Sequence, residues 1–269
     1  MIWKRGDVLI SFIKMSGTGN DFVVVDNRAG IITDREGFTK TVCPRRTAIG
    51  ADGTLLLEES EKADVRMRYL NSDGGEVEMC GNGARCISHF AHSLGLPERF
   101  TLETMAGVLP VEVNGDFVRV VMPDSFVDDD VVELDSEFGH LKLYHANTGV
   151  PHRVMFFDDL EELDIRGIGA FVRYHQQFNP PGTNMNFIRV TGRNSLDIRT
   201  YERGVEDETL ACGTGATAAA LIAGKLGLVE SPCTVSVRLP GELTIEWGKD
   251  RVYLSGDVDV CFTGEVEYP

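Results

Sequence analysis

The sequence predicts an α/β (α+β) protein of two pseudo-symmetric, duplicated domains, each a barrel-like β-sheet around a central α-helix. Three observations support this fold class. An ordered set of motifs recurs at an interval of 132 residues, short strand-like segments occur in both halves, and one long helical pattern stands out in each half. An interval of this length is too long for a solenoid repeat and indicates two similar domains.

The repeat is clearest around two cysteines. When the sequence is shifted by 132 residues, CGNGA at 80–84 falls on CGTGA at 212–216, and 8 of the 17 positions from Cys80 to Leu96 are identical. Upstream, Tyr69 aligns with Tyr201 at the same shift. The order of elements recurs together with the motif, which indicates an ancient duplication.

Short apolar or alternating segments bounded by turn residues are typical of β-strands. In the first half they are 22–25, 54–58, 65–70, 111–113 and 118–122, and in the second half 154–157, 187–190, 196–201, 234–239, 243–247 and 252–255. Hairpin turns at 114–116 and 248–250 join the last two strands of each half.

The helical patterns cover 83–94 and 215–226, and each stops at a glycine, Gly95 or Gly227. The second is apolar nearly all round, which is typical of a buried helix. We therefore expect each helix to lie inside its own sheet. The predicted domains are 1–123 with Cys80 and 124–261 with Cys212.

Composition excludes several classes of protein. Hydrophobic residues make up 42% and charged residues 25% of the 269 residues, as in soluble globular proteins. A net charge of −16 without a basic patch argues against nucleic acids and anionic membranes as partners. The first eleven residues do not resemble a signal peptide, so a cytoplasmic location is expected.

The six cysteines do not predict disulfides or a metal site. A chain of this length without an export signal is expected to keep its thiols reduced. No Cys-x-x-Cys pair occurs, and the spacing of Cys80 and Cys86 does not fit a zinc site. Four cysteines are interpreted as small buried hydrophobic residues. They are Cys43, Cys86, Cys233 and Cys261.

The other two cysteines carry the predicted chemistry. Cys80 and Cys212 each precede Gly-x-Gly at a helix start, where unused N–H groups and the helix dipole favour a thiolate and bind a carboxylate. If the two helix starts face each other across the domain cleft, one thiolate removes an α-proton and the other thiol returns a proton to the opposite face. No cofactor and no metal are needed. A single such motif would be read as a tight turn, but the matched pair favours catalysis.

Several motifs resemble those of the diaminopimelate epimerases. The segment NSDGGEVEMCGNGAR at 71–85 resembles the family signature. Further matching segments are GTGNDF at 17–22, NTGVPH at 147–152, GTNMNF at 182–187, YERG at 201–204 and ACGTG at 211–215. The resemblance runs from about Phe12 to the C-terminus in family order.

The resemblance implies that segment 262–269 returns to the first domain, and that the protein is a cytoplasmic homodimer. It implies interconversion of LL- and meso-diaminopimelate without a cofactor. Cys80 and Cys212 would be base and acid, exchanging with direction, and His152 and Glu202 would tune their ionisation. Substrate-binding residues would be Asn20, Asn71, Gly81, Asn82, Asn184, Glu202, Arg203, Gly213 and Thr214.

Some positions depart from the family pattern. Gly53 stands where some members have a substrate-binding Gln, and Val150 where many have a substrate-binding Asn. Residues 1–11 extend beyond the usual start, and we expect them to be disordered or to contact a partner. Three alternatives remain open: a racemase of another amino acid such as histidine, a thiol redox or metal protein, and a catalytically inactive binding protein of the same fold.

Overall fold

The computed structural model describes residues 8–238 and 241–268. The chain divides into two compact units. The first comprises the residues up to Val120 together with the chain from Asp257 onward, and the second runs from Val121 to Gly256. The boundary predicted at 261/262 is misplaced, because it falls inside the last strand, which pairs with the first strand from Asp259 onward.

The strands are, in chain order, β1 (Val8–Gly17), β2 (Asn20–Asp26), β3 (Gly53–Glu58), β4 (Val65–Asn71), β5 (Arg99–Thr104), β6 (Gly107–Asn114), β7 (Phe117–Val121), β8 (Phe126–Ser136), β9 (Gly139–Asn147), β10 (Pro151–Phe156), β11 (Asn184–Gly192), β12 (Ser195–Glu202), β13 (Asp207–Thr209), β14 (Cys233–Ser236), β15 (Glu242–Trp247), β16 (Val252–Asp257) and β17 (Asp259–Tyr268). The α-helices are α1 (Arg35–Val42), α2 (Gly81–Ser93), α3 (Ile165–Tyr174) and α4 (Gly213–Lys225), and a short 3-10 helix covers Gln176–Phe178.

The two units build their sheets in the same way. In the first unit the strand order is β17-β1-β2-β3-β4-β5-β6-β7, parallel at β2–β3 and β4–β5 and antiparallel elsewhere. In the second it is β8-β9-β10-β11-β12-β14-β15-β16, parallel at β10–β11 and β12–β14 and antiparallel elsewhere. The same sequence of neighbours and directions confirms the predicted duplication.

One helix forms the centre of each unit. In α2, Ala84, Cys86 and Ile87 are fully buried, and α4 is buried over nearly all of its length. Helix α4 packs against β9, β10, β11, β12, β14 and β15 of its own unit. The small residues of α4 let the strands approach it from several sides, as its uniformly apolar pattern predicts.

The sequence interpretation missed the outer helices α1 and α3. Each begins at an aspartate whose carboxylate accepts an N–H of the first turn, Asp34 from Gly37 and Asp164 from Gly167. Both helices are short, and each presents a narrow apolar face to the outer side of its sheet. Phe38 of α1 and Val172 of α3 are fully buried there.

Three further expectations need correction or restriction. The disorder predicted for 1–11 is wrong for Val8–Ser11, which pair with β17 in β1; residues 1–7 lie outside the described residues. Cys261 is exposed instead of buried, because most of β17 is open to solvent. The strand predicted at 234–239 is the shorter β14, and Leu239 lies outside the described residues.

Cys43, Cys86 and Cys233 are buried as predicted. Burial raises the pKa of Cys43 to about 12 and that of Cys233 to about 11, so these thiols are inert near neutral pH. Among the helices of the described residues, none combines the length and apolar character needed to cross a bilayer.

Candidate active site

Cys80 caps the N-terminus of α2. Its backbone is extended, with φ −141° and ψ 113°, and its Sγ accepts the N–H of Gly83 at 3.3 Å. Its carbonyl accepts the N–H of Ala84 at 2.8 Å, the first hydrogen bond of the helix. The sulfur thus lies where the helix dipole is positive, which favours the thiolate.

Cys212 has the same position at the start of α4. Its backbone has φ −127° and ψ 106°, and its Sγ accepts the N–H of Gly215 at 3.4 Å. The Thr214 hydroxyl lies 3.4 Å from the same sulfur. Cys212 itself is only 8% exposed. The two units therefore carry matched cysteine caps on equivalent helices.

The glycine three residues after each cysteine has little room for a side chain. A Cβ on Gly215 would lie 2.4 Å from Asn186 Oδ1, and a Cβ on Gly83 would lie 3.0 Å from Leu55 Cδ2. The predicted anion donors occupy the first turns, whose N–H groups an α-helix does not use within itself. They are Gly81 and Asn82 in α2, and Gly213 and Thr214 in α4.

In the first unit, the predicted polar residues lie at one end of neighbouring strands. Gly53 pairs with Phe22 of β2 and with Asn71 of β4, so Asn20 and Asn71 lie on either side of the start of β3. Asn20 Oδ1 accepts a hydrogen bond from the Cys80 thiol at 3.6 Å. Asn20, predicted to bind substrate, thus lies beside the cysteine.

Asn71 and Gly53 differ in what they offer a ligand. Asn71 is exposed, and its Oδ1 accepts a hydrogen bond from the Tyr69 hydroxyl at 2.6 Å, which fixes the amide. A Cβ on Gly53 would lie 2.3 Å from the Leu70 carbonyl oxygen. The local backbone therefore has no room for the Gln that some family members carry at this position.

In the second unit, His152 of β10 pairs with Asn184 of β11. The next residue of β11, Met185, pairs with Tyr201 of β12, which places Glu202 beside Asn184. His152, Asn184 and Glu202 therefore lie at the same end of β10, β11 and β12. Asn184 is 4% exposed, and its amide makes two bonds to backbone. It donates to Pro151 O at 3.1 Å and accepts the N–H of Arg203 at 2.9 Å. This predicted binding residue thus also shapes the backbone of its neighbours.

His152 is a buried neutral imidazole. Its Nδ1 accepts from Asn186 Nδ2 at 3.1 Å, which leaves the proton on Nε2, an atom with no hydrogen-bond partner among the described residues. Burial, and then the nearby charge of Arg203, lower the pKa of His152 to about 3. His152 can therefore act as a hydrogen-bond donor and does not act as a cation near neutral pH.

The sequence interpretation missed Arg85, which is fully buried on α2. It donates from Nη2 to Thr18 Oγ1 at 2.8 Å and from Nη1 to Gly81 O at 3.4 Å. No carboxylate among the described residues forms an ion pair with it, and its Nε has no partner there. A buried cation is costly without an anion. Arg85 therefore favours negative charge near the start of α2.

Among the described residues, one cluster of acidic and histidine side chains has the spacing of a metal site. Side-chain atoms of Asp128, Asp130 and His145 lie within 4.8 Å of one another. His145 Nδ1 lies 2.5 Å from an Asp128 oxygen, and Arg153 donates to Asp130 at 2.8 Å. These contacts account for the cluster without a metal ion.

The chain is similar to known proteins over nearly its whole length. The family model described as diaminopimelate epimerase matches residues 12–126 and 144–261. The diaminopimelate epimerase of Archaeoglobus fulgidus is 44% identical, covering 95% of this chain and 95% of that protein. The diaminopimelate epimerase of Chlorobaculum tepidum is 41% identical, covering 94% of this chain and 99% of that protein.

Solved structures share the fold at lower identity. A phenazine biosynthesis protein of the PhzF family from Bacillus anthracis aligns with a TM-score of 0.74 and 17% identity, covering 96% of this chain and 99% of that chain. A hydroxyproline epimerase from Agrobacterium vitis aligns with a TM-score of 0.73 and 18% identity, covering 99% of this chain and 94% of that chain. These two likenesses support the fold, and the sequence matches show that the chain belongs to the diaminopimelate epimerase family.

Proposed function

We propose that the protein is an amino-acid epimerase that interconverts LL- and meso-diaminopimelate with two cysteines and no cofactor. The observation that carries the proposal is the matched pair of cysteine caps on equivalent helices of two duplicated units. Inversion of a carbon centre needs a proton acceptor and a proton donor on opposite faces, and a duplicated thiol site supplies both. The names of the relatives identify the substrate class.

The proposed reaction conserves protons and charge. In one direction, the thiolate of one cysteine takes the α-proton and becomes a thiol, and the C–H electron pair passes to the substrate as a carbanion or enolate. The thiol of the other cysteine then gives its proton to the opposite face of that carbon and becomes a thiolate. The enzyme ends with the protonation of its two sulfurs exchanged, so Cys80 and Cys212 alternate as base and acid.

The charge that develops on the substrate needs stabilisation by fixed groups. The first-turn N–H groups of α2 and α4 supply donors for the α-carboxylate. In the first unit, Arg85 adds a buried positive charge behind the first turn of α2. In the second, the Nε2–H of His152 offers a buried donor.

We assign recognition of the unreacted end of the substrate to Arg203, Asn71 and Asn184. A guanidinium matches a carboxylate with two parallel hydrogen bonds. Arg203 already donates from Nη1 to Pro181 O at 2.8 Å, which positions the side chain. A polar site of this kind rejects analogues that leave its groups unpaired. We therefore expect diaminopimelate to be preferred over lysine, proline and histidine.

The test is proton exchange in deuterated water. The purified protein, without added cofactor, is incubated with LL-diaminopimelate, and both deuterium at the α-carbon and formation of the meso isomer are followed by NMR. We expect deuterium at one α-carbon of the product. The control is a Cys80→Ala/Cys212→Ala double variant with an unchanged circular dichroism spectrum, which should give no exchange.

Histidine serves as the competing substrate in the same assay. Faster exchange with histidine than with diaminopimelate would assign the protein to the racemase alternative. Absence of exchange with every amino acid tested would favour the inactive binding protein. A cytoplasmic location and a homodimer remain predictions, and sedimentation of the purified protein measures the second.

A further inference from the structure

Asp52 lies where three donors converge beside the first cysteine. Its Oδ2 accepts from Asn20 Nδ2 at 2.7 Å and from the N–H of Asp21 at 3.2 Å. Its Oδ1 accepts from Arg45 Nη2 at 2.8 Å. The carboxylate therefore receives two hydrogen bonds from adjacent residues of β2, Asn20 and Asp21, and one from Arg45 in the segment before β3.

This arrangement fixes which way the Asn20 amide points. An ionised carboxylate can only accept hydrogen bonds, so the Asn20 NH₂ group must face Asp52. The carbonyl oxygen of the same amide then faces Cys80, whose thiol donates to it at 3.6 Å. An acceptor at this place favours the protonated sulfur, and an NH₂ group would favour the thiolate.

We infer that Asp52 is a positioning residue that sets the protonation of Cys80 through the orientation of the Asn20 amide. The inference rests on the proposed function for the role of Cys80. Asp52 acts through Asn20, whose amide it holds in this orientation.

The amide counterpart of aspartate does not supply this function at position 52. An asparagine there would present an NH₂ group either to Arg45 or to the donors on the other side, and both choices place donor against donor. Neighbouring contacts would persist, because the Asp52 carbonyl accepts the N–H of Ser72 at 2.9 Å through backbone alone. The Asp52 side chain is 42% exposed and its Arg45 partner 58% exposed, so their ion pair adds little to stability. A change at Asp52 therefore perturbs Asn20 more than it perturbs the fold.

The other ionisable groups near Cys80 in its unit are the same in every variant proposed below. Arg85 and the Cys86 thiol lie on the same helix. Beyond Asn20 lie Asp21, which pairs with Lys14 at 2.6 Å, and Arg45. Removing the Asp52 carboxylate also removes a negative charge, so the design must separate a charge effect from an amide effect.

A double-mutant cycle makes this separation. In a Cys212→Ala background, the rate of Cys80 alkylation by iodoacetamide is measured against pH, with the modified peptide quantified by mass spectrometry. Asp52→Ala and Asp52→Asn should each lower the midpoint of the profile by about 0.5 to 1 pH unit, the size expected when one hydrogen bond replaces another. Asp52→Ala should cause no further change when Asn20 is already alanine.

A matched control is available on the same strand. Asp26 lies at the far end of β2, pairs with Arg28 at 2.7 Å and is 36% exposed. Asp26→Ala should leave the midpoint unchanged. With Cys212 intact, Asp52→Ala should also lower kcat about tenfold, the loss expected from one misplaced hydrogen bond, with a smaller change in KM.

Two results would overturn the inference. One is an unchanged midpoint in both Asp52 variants. The other is an equal shift with and without the Asn20 side chain, which would assign the effect to charge acting through space. Because alkylation needs no substrate, the cycle can succeed even if the protein fails to epimerise diaminopimelate, so the two proposals fail separately.

Discussion

Gly215 and Gly83 hold equivalent positions, yet alanine should affect them very differently. Both follow their cysteine by three residues and donate an N–H to its sulfur. A Cβ on Gly215 would lie 2.4 Å from Asn186 Oδ1 and 3.4 Å from its Cγ. On Gly83 the nearest atom would be the terminal methyl of Leu55, at 3.0 Å. One neighbour is a hydrogen-bonded amide and the other is the end of an aliphatic side chain.

The Asn186 amide cannot move without loss. It is fully buried, donates to His152 Nδ1 at 3.1 Å and to Arg153 O at 3.0 Å, and accepts from Thr200 Oγ1 at 3.0 Å. Leaving two of these bonds unmade costs about 2–6 kcal/mol, since each buried unpaired group costs about 1–3 kcal/mol. Alanine in place of glycine returns at most about 1 kcal/mol of helix stability. The net destabilisation expected for Gly215→Ala is therefore about 1–5 kcal/mol.

The assay is thermal unfolding followed by circular dichroism. At about 2–4 °C per kcal/mol for a chain of this size, Gly215→Ala should lower Tm by about 2–20 °C. Gly83→Ala should change Tm by no more than a few degrees, because a small shift of the Leu55 methyl is offset by the gain in helix propensity. Equal losses in the two variants, or a larger loss for Gly83→Ala, would refute the steric reasoning.

Three further predictions concern the proposed catalytic cysteines, Arg203 and His152. Cys80→Ala and Cys212→Ala should each reduce epimerisation by roughly 10³-fold or more, because each removes a proton-transfer group. Cys86→Ala, on the same helix as Cys80, is the control and should retain activity. A comparable loss for Cys86→Ala would contradict the assignment. Arg203→Lys should lose most activity on diaminopimelate despite keeping the charge, because an ammonium cannot form the paired bonds of a guanidinium, and unchanged kcat/KM would contradict this role. The pKa of His152 is about 3 in the folded protein, below its value of about 6.5 in the unfolded chain, so the unfolded chain binds this proton first as the pH falls. The contribution of the neutral His152 to folding stability is therefore fully present at neutral pH and is lost as the pH falls from about 6.5 towards 3. His152→Gln should remove that part of the pH dependence in denaturant titrations, and parallel curves for the two proteins would contradict a buried neutral histidine.

The duplication and the central helices could be predicted because their signals are local and repeated. The helix patterns gave the right elements with starts two residues late, since Gly81 and Gly213 already belong to the first turns. Glycine has low helix propensity, so a pattern based on apolar residues does not extend over it. The cap geometry of Cys80 and Cys212 follows from the same motifs.

Contacts distant in sequence could not be predicted in this way. Asp52 lies 32 residues from Asn20, and only the pairing of β2 with β3 brings them together. The pairing of β1 with β17 joins the two ends of the chain, so a pattern confined to either end does not reveal it. Arg85 stands within the signature that carries the family resemblance, but its burial without a carboxylate partner appears only in the packed structure.

Arg85 also marks the main difference between the two cysteine helices, and this difference can be tested. The equivalent residue in α4 is Thr217, whose hydroxyl donates to Gly213 O at 2.9 Å, just as Arg85 donates to Gly81 O at 3.4 Å. Both side chains bond the same carbonyl of their helix, but only Arg85 adds a positive charge.

The variant Arg85→Thr places in α2 the residue that α4 has at the equivalent position, and it keeps a hydroxyl donor for Gly81 O. Loss of the buried cation should disfavour the Cys80 thiolate, because an opposite charge nearby favours the ionised form of a thiol. The midpoint of Cys80 alkylation, measured in a Cys212→Ala background, should move to higher pH. Cys212, measured in a Cys80→Ala background, should keep its midpoint and so controls for general changes in the fold. If Arg85→Thr left the Cys80 midpoint unchanged while the protein stayed folded, the buried guanidinium would be structural only, and stabilisation of the anion would rest on the first-turn N–H groups alone.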